Sequence, residues 1–262
     1  MKPIEGNNVE DGEVTERTER KAWFREKTIS INRVKVVIFE APFDAKKEDE
    51  VDNTGMRVWP AAQVLALYVL NHPETTRKCE GILELGAGAG VTGLLVAKSC
   101  GRPAGVVITD GEHHVLDLTR RNIEANFKED GRPTCEYLRW GENVDEFKDR
   151  FGTFDLIMAT DVLYCPEALE PFFMTAKQLL SSKPSAQLLV SHTNRSYVPH
   201  YKVRKAGSTC GFKVTDIPLQ SIPGCAEMSR ATAADPRHPM LQRMQVFRFT
   251  LKASVIKGDP SP

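Results

Sequence analysis

The sequence lacks the apolar segments that membrane-spanning and exported proteins carry. It contains no run of about 18 apolar residues, the length that a transmembrane helix needs. Its first 20 residues are polar and highly charged, without the apolar core of a signal peptide. We therefore expect a protein that does not bind membranes and that resides in the cytoplasm, with the nucleus as the alternative.

The sequence also lacks an excess of charge of either sign. Lys and Arg together number 35, Asp and Glu also number 35, and the formal net charge is zero. Binding to nucleic acid through bulk electrostatics needs a basic excess or a basic patch. We expect no nucleic acid as a direct ligand, although the sequence leaves a local patch open.

The cysteines form neither a disulfide framework nor a metal-binding motif. No C-x-x-C pair occurs, and no histidine stands at zinc-ligand spacing from a cysteine pair. This pattern predicts free thiols in a reducing compartment and no metal site. The six cysteines are Cys79, Cys100, Cys135, Cys165, Cys210 and Cys225.

Composition and patterning divide the chain into four segments. Residues 1–27 are charged and poor in large apolar groups, which predicts a tail that is disordered or helical. Alternating β-branched and polar residues then predict a β-rich extension at 28–57, although the charged run at 44–53 indicates a solvated loop. Residues 58–255 hold the main domain, and 256–262 form a short tail.

From residue 81 onwards, short apolar segments alternate with helical periods. The predicted strands are 82–85, 105–109, 135–140, 154–160 and 187–191, and the predicted helices are 91–100, 112–127, 168–181 and 197–210. Strands that alternate with helices indicate a mostly parallel α/β sheet covered on both faces. The last two strands, 212–217 and 245–251, are separated by a long loop and predict an antiparallel hairpin.

Three glycines, Gly86, Gly88 and Gly90, follow the first of these buried strands. In an open α/β sheet, ligands bind beyond the carboxyl ends of the strands, and glycines let the backbone approach them closely. Val91 stands where a dinucleotide fingerprint requires glycine, and the Gly-Lys-Ser/Thr of a P-loop is absent from the sequence. The preceding Glu84, which we expect to face the ligand, would repel a pyrophosphate and tolerate a cationic amino acid portion.

Asp110 ends the second strand of the alternating region. At this position an acidic side chain can accept hydrogen bonds from both hydroxyls of a ribose. A structural role as a helix N-cap or as a turn residue before Gly111 is the alternative, and one residue can serve in both ways.

With these features in place, the chain resembles methyltransferase family 16, the seven-β-strand protein-lysine methyltransferases. The resemblance implies a Rossmann-like seven-stranded sheet, mostly parallel with an antiparallel last strand. It also implies S-adenosyl-L-methionine as cofactor, S-adenosyl-L-homocysteine as product and no metal. The matching pieces, in order between about residues 39 and 195, are Val58-Trp59-Pro60-Ala61-Ala62, the glycine loop, Thr109-Asp110, Trp140-Gly141 and Asp161-Val162-Leu163-Tyr164.

The resemblance also implies contacts to the cofactor. Trp59 would lie against its methionine end, Asp110 would bind its ribose, and Trp140 would pack near its adenine. Thr160 would close the pocket, at a position where the family more often has alanine. For both tryptophans, plain core packing is the alternative that the sequence leaves open. The loop residues beside the cofactor would be Gly86, Ala87 and Gly88.

Asp161 and Tyr164 come directly after the fourth predicted strand, 154–160. Methyl transfer to an amine needs the neutral amine, which a carboxylate can orient or deprotonate and a tyrosine can contact. The alternatives are that Asp161 caps the next helix, that Tyr164 packs, and that water accepts the proton. Val162 and Leu163 stand where methyltransferases acting on amino groups of nucleic-acid bases carry two prolines, which counts against that acceptor.

These features predict an S-adenosylmethionine-dependent N-methyltransferase. The resemblance implies that its acceptor is a lysine of a protein substrate, and we expect the protein to act as a monomer. The alternatives are another acceptor (protein arginine or histidine, nucleic acid or a small amine) and a non-catalytic module that binds the cofactor. His192, Asn194 and Arg195 follow the fifth strand and are further candidates for the acceptor side, with a structural role as the alternative for His192. Cys165 is expected to pack.

Overall fold

A computed structural model of the chain describes residues 24–42, 53–231 and 238–252. Seven of the strands in these ranges form one sheet, whose strands are, from one edge to the other, residues 134–137, 106–110, 82–85, 156–160, 187–193, 244–251 and 212–217. All neighbours in this sheet run parallel except the last strand of the chain, which is antiparallel to both of its neighbours. This arrangement confirms the predicted Rossmann-like α/β sheet. The strands are β1 (Arg25–Ile31), β2 (Val34–Glu40), β3 (Ile82–Leu85), β4 (Val106–Asp110), β5 (Thr134–Tyr137), β6 (Leu156–Thr160), β7 (Gln187–Thr193), β8 (Phe212–Ile217) and β9 (Met244–Leu251).

Helices cover both faces of this sheet. The helices are α1 (Pro60–Asn71), α2 (Glu74–Arg77), α3 (Val91–Ser99), α4 (His113–Asn126), α5 (Val144–Phe151), α6 (Leu169–Leu179), α7 (His200–Thr209), α8 (Cys225–Ala231) and α9 (His238–Leu241). One core packs α1, α3 and α4 against one face, and a second core packs α5, α6 and α7 against the other. Side chains along a strand alternate between these two cores, as Leu156 and Ile157 of β6 do, because successive residues of a strand point to opposite faces. Of the helices in the described part of the chain, none is long and apolar enough to cross a membrane.

The two N-terminal strands form a separate antiparallel hairpin that is held by α4. The Asn122 side chain accepts a hydrogen bond from the backbone N–H of Phe39 at 2.7 Å and donates one to its carbonyl at 3.1 Å. One helical turn later, Asn126 makes the same pair of bonds to Val37, at 2.9 and 2.6 Å. The two amides satisfy backbone groups on the edge of β2 that would otherwise lack partners.

The observed boundaries differ from the predicted ones at several points. β1 begins at Arg25, three residues before the predicted start of the β extension. α7 begins at His200 rather than at residue 197, because Pro199 precedes it with an extended backbone. α5 and α8 were not predicted, since they have only 8 and 7 residues, too few for a helical period to be recognised in the sequence. The predicted tails before residue 24 and at 256–262, and the charged run at 44–52, lie outside the described residues.

Candidate active site

The loop between β3 and α3 turns sharply at its glycines. Gly86, Gly88 and Gly90 all have positive φ angles, of 65°, 57° and 77°, a region that residues with side chains rarely adopt. A methyl group on Gly86 would lie 2.8 Å from Cγ1 of Val162, and one on Gly88 would lie 2.7 Å from the carbonyl oxygen of Gly55. Glycine is therefore required at both positions by the segments that pack against the loop.

Glu84 lies beneath this loop, and its side chain does not reach the ligand side where we expected it. It points away from the face occupied by Leu83 and Leu85, because side chains alternate along β3, and α3 covers it there. Its Oε2 accepts a hydrogen bond from the backbone N–H of Gly93 at 2.8 Å. Since the N-cap of α3 is Gly90, which has no side chain, Glu84 satisfies an N–H group that the helix end leaves open. Burial raises the pKa of this carboxyl to about 8.

Asp110 ties the glycine loop to the end of β4. Its Oδ2 accepts the backbone N–H of Gly88 at 3.0 Å, and its Oδ1 accepts that of Glu112 at 3.1 Å. Burial raises the pKa of this carboxyl, while the backbone N–H bonds oppose the rise. The N-cap residue of α4 is Glu112. Asp110 therefore serves as the turn residue before Gly111 rather than as the N-cap of α4. It also lines a cavity at this edge of the sheet.

A cavity of about 920 Å³ opens at the carboxyl ends of β3 to β7. Pockets for small molecules and cofactors occupy roughly 300–1,000 Å³, so this one is large enough for a nucleoside-containing ligand. All predicted site residues except Glu84 line it. They are Trp59, Gly86, Ala87, Gly88, Asp110, Trp140, Thr160, Asp161 and Tyr164.

The two tryptophans are half-buried, and neighbouring groups hold both of them in the cavity wall. Trp59 is the N-cap residue of α1, and its Nε1 donates to the carbonyl of Thr54 at 3.1 Å. Trp140 meets the ring of Phe172 edge-on, with a centroid distance of 5.1 Å. Core packing, the alternative for these residues, accounts for part of each side chain, and the remaining ring surface borders the cavity.

Asp161 follows β6 in a strained backbone conformation with φ at +55°. Its carboxyl group accepts hydrogen bonds from the backbone N–H of Thr193 at 3.1 Å and from the hydroxyl of Thr193 at 3.2 Å. It also pairs with Arg195, whose Nη2 lies 2.6 Å from Oδ2. Burial raises the pKa of Asp161, and the guanidinium of Arg195 opposes that rise. The next α-helix has Ala168 as its N-cap residue, so Asp161 does not cap it.

Tyr164 and Cys165 lie at the mouth of the cavity. The side chain of Tyr164 is 52% exposed. It lies in the segment 161–165, which has no helix or strand. The thiol of Cys165 donates to Oε2 of Glu167 at 2.6 Å. Cys165 was expected to pack, and it is half-buried at this rim.

Further residues line the cavity outside the predicted motifs. The 3₁₀ turn Asn53–Met56 folds over the glycine loop, and Arg57 beside it lines the cavity. Of the candidates predicted to follow the fifth strand, Arg195 also lines the cavity. His192 instead lies within β7, which extends to Thr193, and it is fully buried with Nε2 2.8 Å from the carbonyl oxygen of Val198. Burial lowers the pKa of His192 to about 4. Over the ranges that the structure describes, no three His, Cys, Asp or Glu side chains cluster in a way that could hold a metal ion.

Known proteins share this sequence pattern and this fold. A calmodulin-lysine N-methyltransferase from Arabidopsis thaliana is 32% identical over 148 residues, and this chain spans about half of that relative, 48% of its length against 56% of its own. The histone-arginine methyltransferase METTL23 from Xenopus laevis is 31% identical over 186 residues, which are 70% of this chain and 76% of that protein. The crystal structure of an S-adenosylmethionine-dependent methyltransferase from Agrobacterium tumefaciens shares the fold, with a TM-score of 0.56 and 15% identity, over 86% of this chain and 70% of that chain.

The sequence model of one protein family matches a region that includes the glycine loop, both tryptophans and the Asp161–Tyr164 element. Its match extends over residues 43–205, more than half of the chain, and the family is described as lysine methyltransferase. The match confirms the family that the ordered motifs predicted, and the chain belongs to the lysine methyltransferase family.

Proposed function

We propose that the cavity binds S-adenosylmethionine and that the protein transfers the methyl group of this cofactor to the side-chain amine of a lysine in a protein substrate. The observation that carries this proposal is the hydrogen bond between Gly88 and Asp110. The glycine loop and the acidic strand end were each predicted to serve one ligand, and this bond joins them in the wall of a single cavity.

The cavity wall offers suitable chemistry to each part of the cofactor. The Asp110 carboxylate has about four lone-pair sites, so after accepting the N–H groups of Gly88 and Glu112 it can still accept from a ribose hydroxyl. Trp140 and Trp59 present flat apolar surface, which suits the adenine and the methionine chain respectively. Thr160 would close the pocket between these parts.

When bound, S-adenosylmethionine supplies a methyl carbon that forms a bond to a neutral amine as its bond to sulfur breaks, which leaves S-adenosylhomocysteine. A lysine side chain has a reference pKa near 10.4, so holding it neutral at pH 7 costs about 4.6 kcal/mol. The residues at the acceptor end must therefore desolvate the amine and hold it in line with the methyl group.

We assign the acceptor end to the side of the cavity that follows β6 and β7. Tyr164 is accessible at the mouth, where its ring or hydroxyl can contact the incoming side chain. The carboxyl of Asp161 is only 2% exposed and already accepts three hydrogen bonds. Orienting the acceptor end therefore suits Asp161 better than removing a proton, and we propose that the proton passes to water.

A protein arginine is the second candidate acceptor, because the matched METTL23 relative is named a histone-arginine methyltransferase. A guanidinium has a pKa of about 12.5 or higher, so a site for arginine faces a larger cost of deprotonation than a site for lysine. The family description and the calmodulin-lysine methyltransferase favour lysine.

Transfer of a labelled methyl group tests the proposal. The protein is incubated with methyl-labelled S-adenosylmethionine and a hypomethylated cell lysate, and parallel samples are treated with protease or nuclease. We expect label that protease releases and nuclease leaves in place. Label that resists protease and is lost to nuclease would overturn the protein-substrate proposal, and Asp161→Ala should lose transfer while it still binds S-adenosylhomocysteine.

We further propose that residues 58–255 form the catalytic unit, with the β extension at 28–57 attached to it, and that the protein works as a monomer in the cytoplasm. The nucleus is the alternative location. The six free cysteines agree with a reducing compartment. The hydrogen bonds from Asn122 and Asn126 of α4 to β2 support the attachment of the extension to the catalytic unit. Light scattering of the purified protein and imaging of a tagged copy test these points.

A further inference from the structure

We infer that Arg195 is a positioning residue that keeps the acceptor amine in its reactive neutral form by neutralising the Asp161 carboxylate. This inference rests on the proposed function, in which the acceptor is an amine. It assigns Arg195 a role through Asp161 rather than in contact with the reacting atoms.

The ion pair is held by further hydrogen bonds and lies at the proposed acceptor end of the cavity. Nη2 of Arg195 lies 2.6 Å from Oδ2 of Asp161, and Thr193 holds the same carboxyl group from its backbone and its hydroxyl. The segment that carries Arg195 is fixed as well, since the Asn194 side chain accepts the backbone N–H of His200 at 3.0 Å. Both members of the pair line the cavity.

The electrostatic consequence follows from the chemistry of methyl transfer. A carboxylate within about 4–6 Å of an ammonium favours the charged form and raises the pKa of the amine by 1–3 units. That change opposes the reaction, because only the neutral amine has a lone pair to form the bond to carbon. Guanidinium groups keep their charge throughout the pH range of an enzyme assay, so the pair of Arg195 with Asp161 cancels the carboxylate at every working pH.

Other charged or titratable groups border the cavity and are left unchanged by the test. Arg57 enters from the segment before α1, and Tyr164 and Cys165 follow β6. The groups after β4 and β5, on the other side of β3 in the sheet, are Asp110, Glu112, His114 and Arg139. The two histidines near this segment, His192 and His200, are not among the cavity-lining residues. Burial lowers the pKa of His192 to about 4 and also lowers that of His200, so His192 is uncharged above pH 6.

Four variants separate an electrostatic role from a structural one. The initial rate of methyl transfer to the protein of a hypomethylated lysate is measured from pH 6.5 to pH 10 for Arg195→Gln, Asp161→Asn, the double variant and Arg195→Lys. Arg195→Gln leaves the carboxylate unpaired, and we expect the rising limb of its pH profile to move to higher pH by about one unit or more. Asp161→Asn leaves the guanidinium unpaired, and its limb should move to lower pH.

The double variant removes both charges, and its limb should return towards the wild-type position. Arg195→Lys keeps the positive charge and should keep the limb near that position. A thermal shift with S-adenosylhomocysteine checks that each variant folds and binds the cofactor product.

Two outcomes would overturn the inference. In the first, Arg195→Gln lowers the rate by the same factor at every pH without displacing the limb. In the second, the rising limb of the pH profile of Asp161→Asn fails to move to lower pH. This second outcome is the deciding one if Arg195→Gln does not fold. Absence of any transfer to protein by the wild type is a different result, because it contradicts the proposed function itself.

Discussion

Replacing Glu84 with glutamine should change how the stability of the protein depends on pH. The carboxyl of Glu84 is fully buried, and its pKa rises from 4.5 to about 8 on folding. The folded state therefore binds a proton that the unfolded state releases, at every pH between these two values. Stability contributed by this group is fully present below pH 4.5 and is lost as the pH rises towards 8.

The size of the effect follows from the two pKa values. Each unit of difference corresponds to about 1.4 kcal/mol. Between pH 5 and pH 8, the free energy of unfolding of the wild type should fall by roughly 3.5 kcal/mol relative to that of Glu84→Gln. The glutamine cannot ionise, and its amide oxygen can still accept the backbone N–H of Gly93.

Urea denaturation at pH 5, 6.5 and 8 measures this difference. Glu124→Gln is the matched control, because Glu124 is an exposed glutamate on α4. The free energy of unfolding of this variant should change with pH as that of the wild type does. If the free energy of unfolding changes with pH in the same way for Glu84→Gln and the wild type, the reasoning is refuted. That result would mean that Glu84 keeps an ordinary pKa in the folded protein.

Three further substitutions test the folded state and the cavity. Burial lowers the pKa of His192 from 6.5 to about 4. The wild type should therefore lose roughly 3 kcal/mol of stability relative to His192→Gln as the pH falls from 7 to 4, as measured by urea titrations. An equal loss in both proteins would contradict this prediction. Gly88→Ala places a methyl group 2.7 Å from a backbone oxygen and should cost about 1–3 kcal/mol and abolish the thermal shift with S-adenosylhomocysteine. Gly101→Ala is the control, because Gly101 also has a positive φ but a methyl group there would have no atom within 4 Å. Its thermal shift should remain. Asp110→Ala should also lose the thermal shift, whereas Asp117→Ala, at an exposed position of the next helix, should keep it; an unchanged shift in Asp110→Ala would argue against the ribose site.

The sheet and the strand-end residues were predictable because they follow from local rules. Buried strands alternating with helices imply a parallel sheet, and carboxyl ends of parallel strands meet at one edge. Asp110 and Asp161 each stand at such an end, so they reach the same cavity whatever the details of packing. The glycines of the loop are predictable for the same reason, since their spacing reflects backbone geometry.

The orientation of Glu84 and the partner of Asp161 depend on tertiary packing. Both faces of β3 are buried, so the apolar pattern around Glu84 does not show which face it occupies. Arg195 lies 34 residues from Asp161 in the chain, and only the pairing of β6 with β7 brings the two together. Arg57 reaches the cavity from a turn with no regular period, so no sequence signal marks it.

Identification of the methylated residue tests the central claim most directly. The labelled protein band from the lysate reaction is isolated, digested and analysed by fragmentation mass spectrometry, and a second portion is hydrolysed to separate methylated amino acids. We expect the label in methyl-lysine at a defined position of one protein, and we expect no label with Asp110→Ala. Label found in methylarginine, or in no amino acid at all, would contradict the assignment of a lysine acceptor.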